Sequence, residues 1–204
     1  KHAVNSSIRF VNQHEFQWPF NHVDQEETIS AGTVRYAYPA DCKTIDLNSF
    51  RIKRDTTLGN ATKRLKILAY GEYLDTHVDM EYDSSTTQRA MPTHVFRSPS
   101  SEFGLIPSPD KAYTVCYEYY RLPVDLISAT DVPALPEQFR HVITDGAMHY
   151  AYMFRGETQE ASMLMGQFED GIKNMRSLYI NRFDYLRSTV RPRHPSSLHA
   201  FGDR

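Results

Sequence analysis

Ala161, Leu164/Met165, Phe168, Ile172, Met175, Tyr179, Phe183 and Leu186 recur at intervals of three or four residues. That spacing returns an apolar group to one helix face on every turn, so it predicts a helix from about Glu157 to Ser188. At ~3.6 residues per turn the face runs for about seven turns, whereas an average helix has ~11–12 residues. A second stripe precedes it: Phe139, Val142, Ile143, Ala147, Tyr150 and Met153/Phe154. Pro136 suits the first helical position and Gly156 the end. Two helices joined by one or two residues must fold back on each other as an antiparallel hairpin. Gly166 and Gly171 weaken the second helix without ending it. An apolar face this long calls for more partner surface than one domain of this size readily supplies, and a neighbouring subunit could supply it.

The remainder reads differently. Asn5 to Phe16 carries Ile8 and Val11 at helical spacing, and the helix stops before Trp18-Pro19, because a residue preceding proline is pushed out of the α region. Thr28-Ile29 and Val34 to Tyr38, around Ala31-Gly32, read as a hairpin closed by Pro39. Ile45 to Leu47, Ser49 to Lys53, Leu65 to Leu68, Thr93 to Arg97 and Phe103 to Ile106 read as short strands, and Tyr70 to Tyr82 as a short helix. Ala112 to Tyr120, dense in aromatic and β-branched residues, is the strongest strand. A Pro-marked connector runs from Leu122 to Pro136. The expected fold is α+β: an antiparallel β-domain in the middle of the chain plus a helical bundle formed by a short N-terminal helix and a long C-terminal helical hairpin. The boundaries are 1–26 for the first helix and connector, 27–123 for the β-domain, 124–189 for the hairpin and 190–204 for an extended C-terminal arm. That arm, with Pro192, Pro195, three Arg and two His, should order only on a partner. Lys1 stands first rather than Met, which leaves room for upstream residues and a longer first element.

Composition narrows the function. A net charge of −2 argues against a protein that grips DNA by neutralising phosphates, though not against one through which DNA passes. Thirteen Tyr and eleven Phe fit either large contact surfaces or a β-rich core. Cys42 and Cys116 define no disulfide framework and read as small buried hydrophobes. No apolar run approaches the ~20 residues of a membrane span, and no signal peptide is visible. Candidate chemistry is sparse. His141, Asp145 and His149 lie at i, i+4 and i+8, so the two His stand about 12 Å apart along a helix at ~1.5 Å per residue. A solvated or subunit-facing stripe is the simpler reading. His77-Val78-Asp79, with Glu72, Asp75 and Glu81, reads as an exposed acidic face, and Ser100-Ser101-Glu102 as a loop. Lys53, Arg54, Lys63, Arg64 and Lys66 gather around one hairpin as a solvated basic loop. No metal, cofactor or catalytic residue is assigned, and the chain is expected not to be an enzyme.

Several segments taken in order do carry a pattern: Phe16-Gln17-Trp18-Pro19-Phe20, Tyr36-Ala37-Tyr38-Pro39-Ala40-Asp41 and Gly104-Leu105-Ile106-Pro107-Ser108-Pro109-Asp110. Tyr113-Thr114-Val115, Tyr119-Tyr120-Arg121-Leu122-Pro123 and Ala134-Leu135-Pro136-Glu137-Gln138-Phe139 follow. Each also has a local meaning. Proline after Tyr38 cannot donate to a strand ladder, two prolines around Ser108 force a turn, and Glu137 sits at the positive end of a helix dipole. From about Trp18 to Leu186 the chain resembles the head-to-tail adaptor proteins of tailed phages, the tail tubular protein A-like connectors of short-tailed phages. The resemblance implies a structural virion protein made in the host cytoplasm, forming a twelve-fold ring between the portal and the tail nozzle. Genomic DNA would pass through its lumen without sequence-specific binding, and no membrane would be involved. On this reading Phe139, Tyr150, Phe154, Leu164, Phe168, Met175 and Tyr179 are candidates for the subunit interface, and Arg191, Arg193, His194, His199 and Phe201 for the portal-binding arm. The alternatives are a neck, head-completion or other tail protein of a long-tailed phage, then a phage enzyme or a receptor-binding β-domain.

Overall fold

The computed structural model describes residues 1–57, 59–82 and 87–180. Eight strands form two four-stranded sheets. The first has the order β1-β8-β3-β4, built from His22–Ile29, Tyr113–Arg121, Cys42–Ile52 and Lys63–Arg64. The second has the order β2-β7-β6-β5, built from Arg35–Ala37, Glu102–Ile106, His94–Ser98 and Lys66–Leu68. Ile29, Phe50, Ile52, Phe103, Leu105, Val115 and Tyr117 lie between the sheets, all fully buried. The Phe50 and Tyr117 rings stack 4.8 Å apart, and both meet Phe103 of the other sheet. The expected strong strand, β8, lies between β1 and β3, and Tyr113, Val115, Cys116, Tyr117 and Tyr119 are its buried residues.

Three strand expectations are corrected. β1 and β2 are not a hairpin: Ile29 pairs with Tyr113 and Arg35 with Gly104, in different sheets. The turn at Ser30–Thr33 instead carries the chain across the sandwich. Gly32 takes φ 76° there and donates its N–H to Pro109 O at 2.8 Å, while the Tyr36 hydroxyl donates to Ser30 O or Thr33 O. Ile45 to Leu47 and Ser49 to Lys53 belong to one strand, β3, broken by a bulge where Ser49 Oγ accepts the Glu118 N–H at 2.8 Å. β5 runs parallel to β6, so the β-layer is not wholly antiparallel. β1 also starts at His22, inside the segment expected to be connector.

The helices pack mainly on one another, beside the sandwich. α1 spans His2–His14, α4 Arg140–Arg155 and α5 Thr158–Tyr179, and Ile8, Val11, Val142, Ile143, Phe168, Ile172 and Met175 form their shared core. Gly156, at φ 83°, ends α4, as its place in the sequence implied. Instead of one helix over Tyr70 to Tyr82 there are two short ones, α2 (Tyr70–Thr76) and α3 (Asp79–Tyr82). The face of α2 packs on β6, with Tyr73 stacked on Phe96 at 3.9 Å. Phe183, Leu186 and the whole arm Val190–Arg204 lie outside the described residues. Among the described residues no helix is long and apolar enough to cross a membrane.

Candidate assembly surface

α1 rivets the helices to the sandwich. Its last carbonyls, Asn12 O and Glu15 O, accept from Lys43 Nζ of β3, the latter at 2.9 Å, so a cation sits where the helix dipole is negative. Burial pushes the Lys43 amine down, and the charge of Glu15 opposes that. The Trp18 indole, fully buried, donates to Val11 O at 2.9 Å and stacks on Phe20. On the far side of α1, Ser7 Oγ donates to Val4 O or Ile143 O, and Glu15 pairs with Arg176 of α5. One helix therefore touches both halves of the molecule.

A second set of contacts fixes α3 on the β-layer. Arg35 of β2 pairs with Glu81 at 2.7 Å and hydrogen-bonds Ser98 Oγ at 3.1 Å, while the Tyr73 hydroxyl donates to Glu81. The Glu81 carboxylate holds the Arg35 guanidinium well above its ordinary value. Burial, with that same carboxylate, pushes the Tyr73 phenol up to about 12. On the outer face of the first sheet Lys53 pairs with Glu26, and Arg51 joins Asp24 to Glu118. His22 and Arg51 hold the Glu118 carboxyl below the usual carboxylate range. These are surface ladders that order strands, not converging catalytic groups.

The expected interface residues separate into two groups. Phe168 and Met175 are fully buried in this chain's own core, which leaves them no side-chain surface for a neighbour. Phe139 and Tyr179 are half-buried and meet edge to face at 5.9 Å near the root of the helices. Tyr150 and Leu164 are half-buried, and Phe154 is 94% exposed. Met153, which shares the end of the expected stripe with Phe154, is exposed too, and Met148 and Met163 are exposed on the helix faces turned away from the core. α1 packs against Ile143 and Gly146 of α4 and Phe168 of α5, while the stripe of α4 ends in exposed Met153 and Phe154. Leu178 is a further exposed apolar group on α5, and the connector adds Leu122, Val124, Ile127 and Val132. The signal for these four was present, since apolar side chains in a loop need a reason.

His141, Asp145 and His149 keep their i, i+4 and i+8 spacing on α4. His149 Nδ1 lies 2.8 Å from Ala161 O and His141 Nδ1 3.1 Å from Gln138 O, each a backbone contact. Among the described residues no three His, Cys, Asp or Glu gather to hold a metal. Cys116 is buried and Cys42 half-buried, both free thiols raised by burial.

A sandwich with a riveted helical layer, and that layer's apolar stripe open at one end, has the build of a structural assembly protein. Over residues 3–193 the chain matches the family model described as SU10 adaptor protein, and it belongs to that family, which makes it a phage head-to-tail adaptor. No curated protein matches the chain.

Proposed function

We propose that this adaptor is one subunit of a ring between the portal and the tail nozzle, twelve-fold as the resemblance implies, whose lumen continues the DNA channel. The observation that carries the reading is the end of α4, where Phe154 is 94% exposed and its chain neighbour Met153 is 52% exposed. Large apolar side chains left exposed at a helix end mark a candidate interaction site, and side-by-side packing of helical hairpins would cover them. Tyr150 and Leu164 would border that contact. A net charge of −2 suits a lumen that lets DNA slide rather than hold it. The arm Val190–Arg204 would reach the portal, with Arg191, Arg193, His194, His199 and Phe201 meeting its surface.

Electron microscopy of the purified protein with and without portal tests this. Closed rings on portal are expected. Single copies scattered on the portal surface would refute the ring. Removal of Val190–Arg204 should abolish attachment to portal-bearing heads, and unchanged attachment would refute the role of the arm.

A further inference from the structure

A second apolar surface lies at the root of the helices. The connector between β8 and α4 roofs a cleft of about 350 Å³ lined by Ile8, Val11, Phe20, Leu126, Leu135 and Ile143. Val124, Val132 and Leu122 stand at its mouth, and Ile127, 77% exposed, beside it. The cleft has a built frame. The Asn5 side chain accepts the Leu126 N–H at 3.0 Å and donates to Leu126 O at 3.3 Å, Lys1 Nζ donates to Ile127 O at 2.7 Å, and Arg9 pairs with Asp125. Asp131 accepts the N–H groups of Ile127 and Ser128 at 2.8 and 2.7 Å. Polar contacts thus hold the connector in place, with Leu126 and Leu135 turned to the core and Val124, Ile127 and Val132 left exposed. A loop held in that way is shaped to receive something apolar, and the cleft volume matches ~300–1,000 Å³ binding pockets.

The chain itself indicates the occupant. α5 ends on the core that floors the cleft, since Tyr179 and Ile180 pack on the cluster that holds Leu135 and Ile143. The sequence then continues through residues 181–204, which at ~3.3 Å per residue can reach roughly 80 Å. Charge favours the return: residues 181–204 hold five Arg and two Asp, against 18 Lys and Arg and 23 Asp and Glu in residues 1–180. Val190, Leu198 and Phe201 supply apolar groups among those arginines.

We propose that in the free subunit the cleft is the docking site for the chain's own segment Val190–Arg204. Leu198 or Phe201 enters between Val124 and Val132, and Arg191 or Arg193 meets Asp131. Tethering raises the local concentration of the segment to about the millimolar range, so a weak cleft suffices. The proposal rests on the arm being the portal-binding element: an arm held in its own cleft is withheld from other partners until the portal displaces it.

The test uses the full chain carrying Val132→Cys with Phe201→Cys, mildly oxidised and mapped by mass spectrometry. An intramolecular disulfide between the two introduced thiols in most monomers is expected. Met163→Cys with Phe201→Cys, at the open end of the helices, should give little. A mainly intermolecular disulfide would assign the cleft to a second copy, and equal cross-linking in both pairs would mean no docking; either overturns the proposal. Hydrogen exchange supplies a second readout: Leu198→Asp with Phe201→Asp should speed exchange across residues 122–135 several-fold, and unchanged rates would overturn it. Failure of the portal reading appears separately, as attachment to heads that survives loss of the arm while the cleft cross-link still forms. If both readings hold, the cross-linked subunit attaches to portal only after reduction.

Discussion

Gly146 and Gly166 offer a matched pair of substitutions that measures how tightly α1, α4 and α5 are packed. A Cβ on Gly146 of α4 would lie 2.7 Å from Phe168 Cζ and 2.7 Å from Ser7 Cβ, so it collides with α5 and α1 at once. Phe168 is fully buried and cannot swing away, and Ser7 can retreat only if α1 moves. A Cβ on Gly166 of α5 meets nothing within 4 Å. In both helices alanine gains about 1 kcal/mol of intrinsic propensity over glycine. At Gly146 overpacking costs about 1–3 kcal/mol against that gain, so Gly146→Ala should destabilise by up to about 2 kcal/mol. Gly166→Ala should stabilise by about 1 kcal/mol. At ~2–4 °C per kcal/mol for a chain of this size, a difference of about 1–3 kcal/mol separates the two variants by roughly 2–12 °C in Tm. Urea unfolding with unchanged m-values checks that both act on the folded state. Equal stabilisation by the two variants would refute the close three-helix junction.

Lys43→Met should cost about 1–2 kcal/mol, because two carbonyls at the end of α1 lose a charged donor; faster amide exchange in α1 with β8 unchanged is the signature. Glu81→Gln leaves the Arg35 guanidinium without its anion and should cost about 2 kcal/mol, read as lost protection of α2 and α3. The Tyr73 and Tyr113 phenols are each raised from 10.0 to about 12 by burial and by the carboxylates of Glu81 and Asp110. The fold therefore favours the protonated phenols, and their contribution is present below pH 10 and lost as pH rises through about 12. Burial and Glu27 raise the Tyr117 phenol further still, so an ultraviolet titration should show at least these three phenols ionising late and together with unfolding, and ordinary titration of all thirteen would contradict this.

What the sequence disclosed follows from which interactions are local. β8 was legible because its buried positions, Tyr113, Val115, Tyr117 and Tyr119, are aromatic or β-branched. β1 was missed in part because His22–Ile29 is rich in acids. Its inward Glu27 is tolerated only because the Tyr117 hydroxyl, far along the chain, donates to it at 2.9 Å. The crossing at Gly32 looked like a hairpin because Gly at positive φ serves either turn, and only the distant partner Pro109 decides between them. Periodicity placed Phe168 and Phe154 in comparable stripes. It could not reveal that α1 covers one and stops short of the other, since cover is a tertiary fact. The connector was marked by its prolines, and its exposed valines became meaningful only once Asn5 and Arg9 were seen to hold the backbone.

The central claim is that the open apolar end of α4 and α5 joins subunits. Its most direct measurement is mass photometry of the adaptor mixed with portal, comparing the unaltered chain with Phe154→Ser/Met163→Ser. Both side chains are exposed, at 94% and 70%, so the variant should keep its Tm within a degree or two. The unaltered chain should add multiple subunits per portal as a closed ring, and the variant should remain a folded monomer. A variant that assembles on portal as fully as the unaltered chain would contradict the claim.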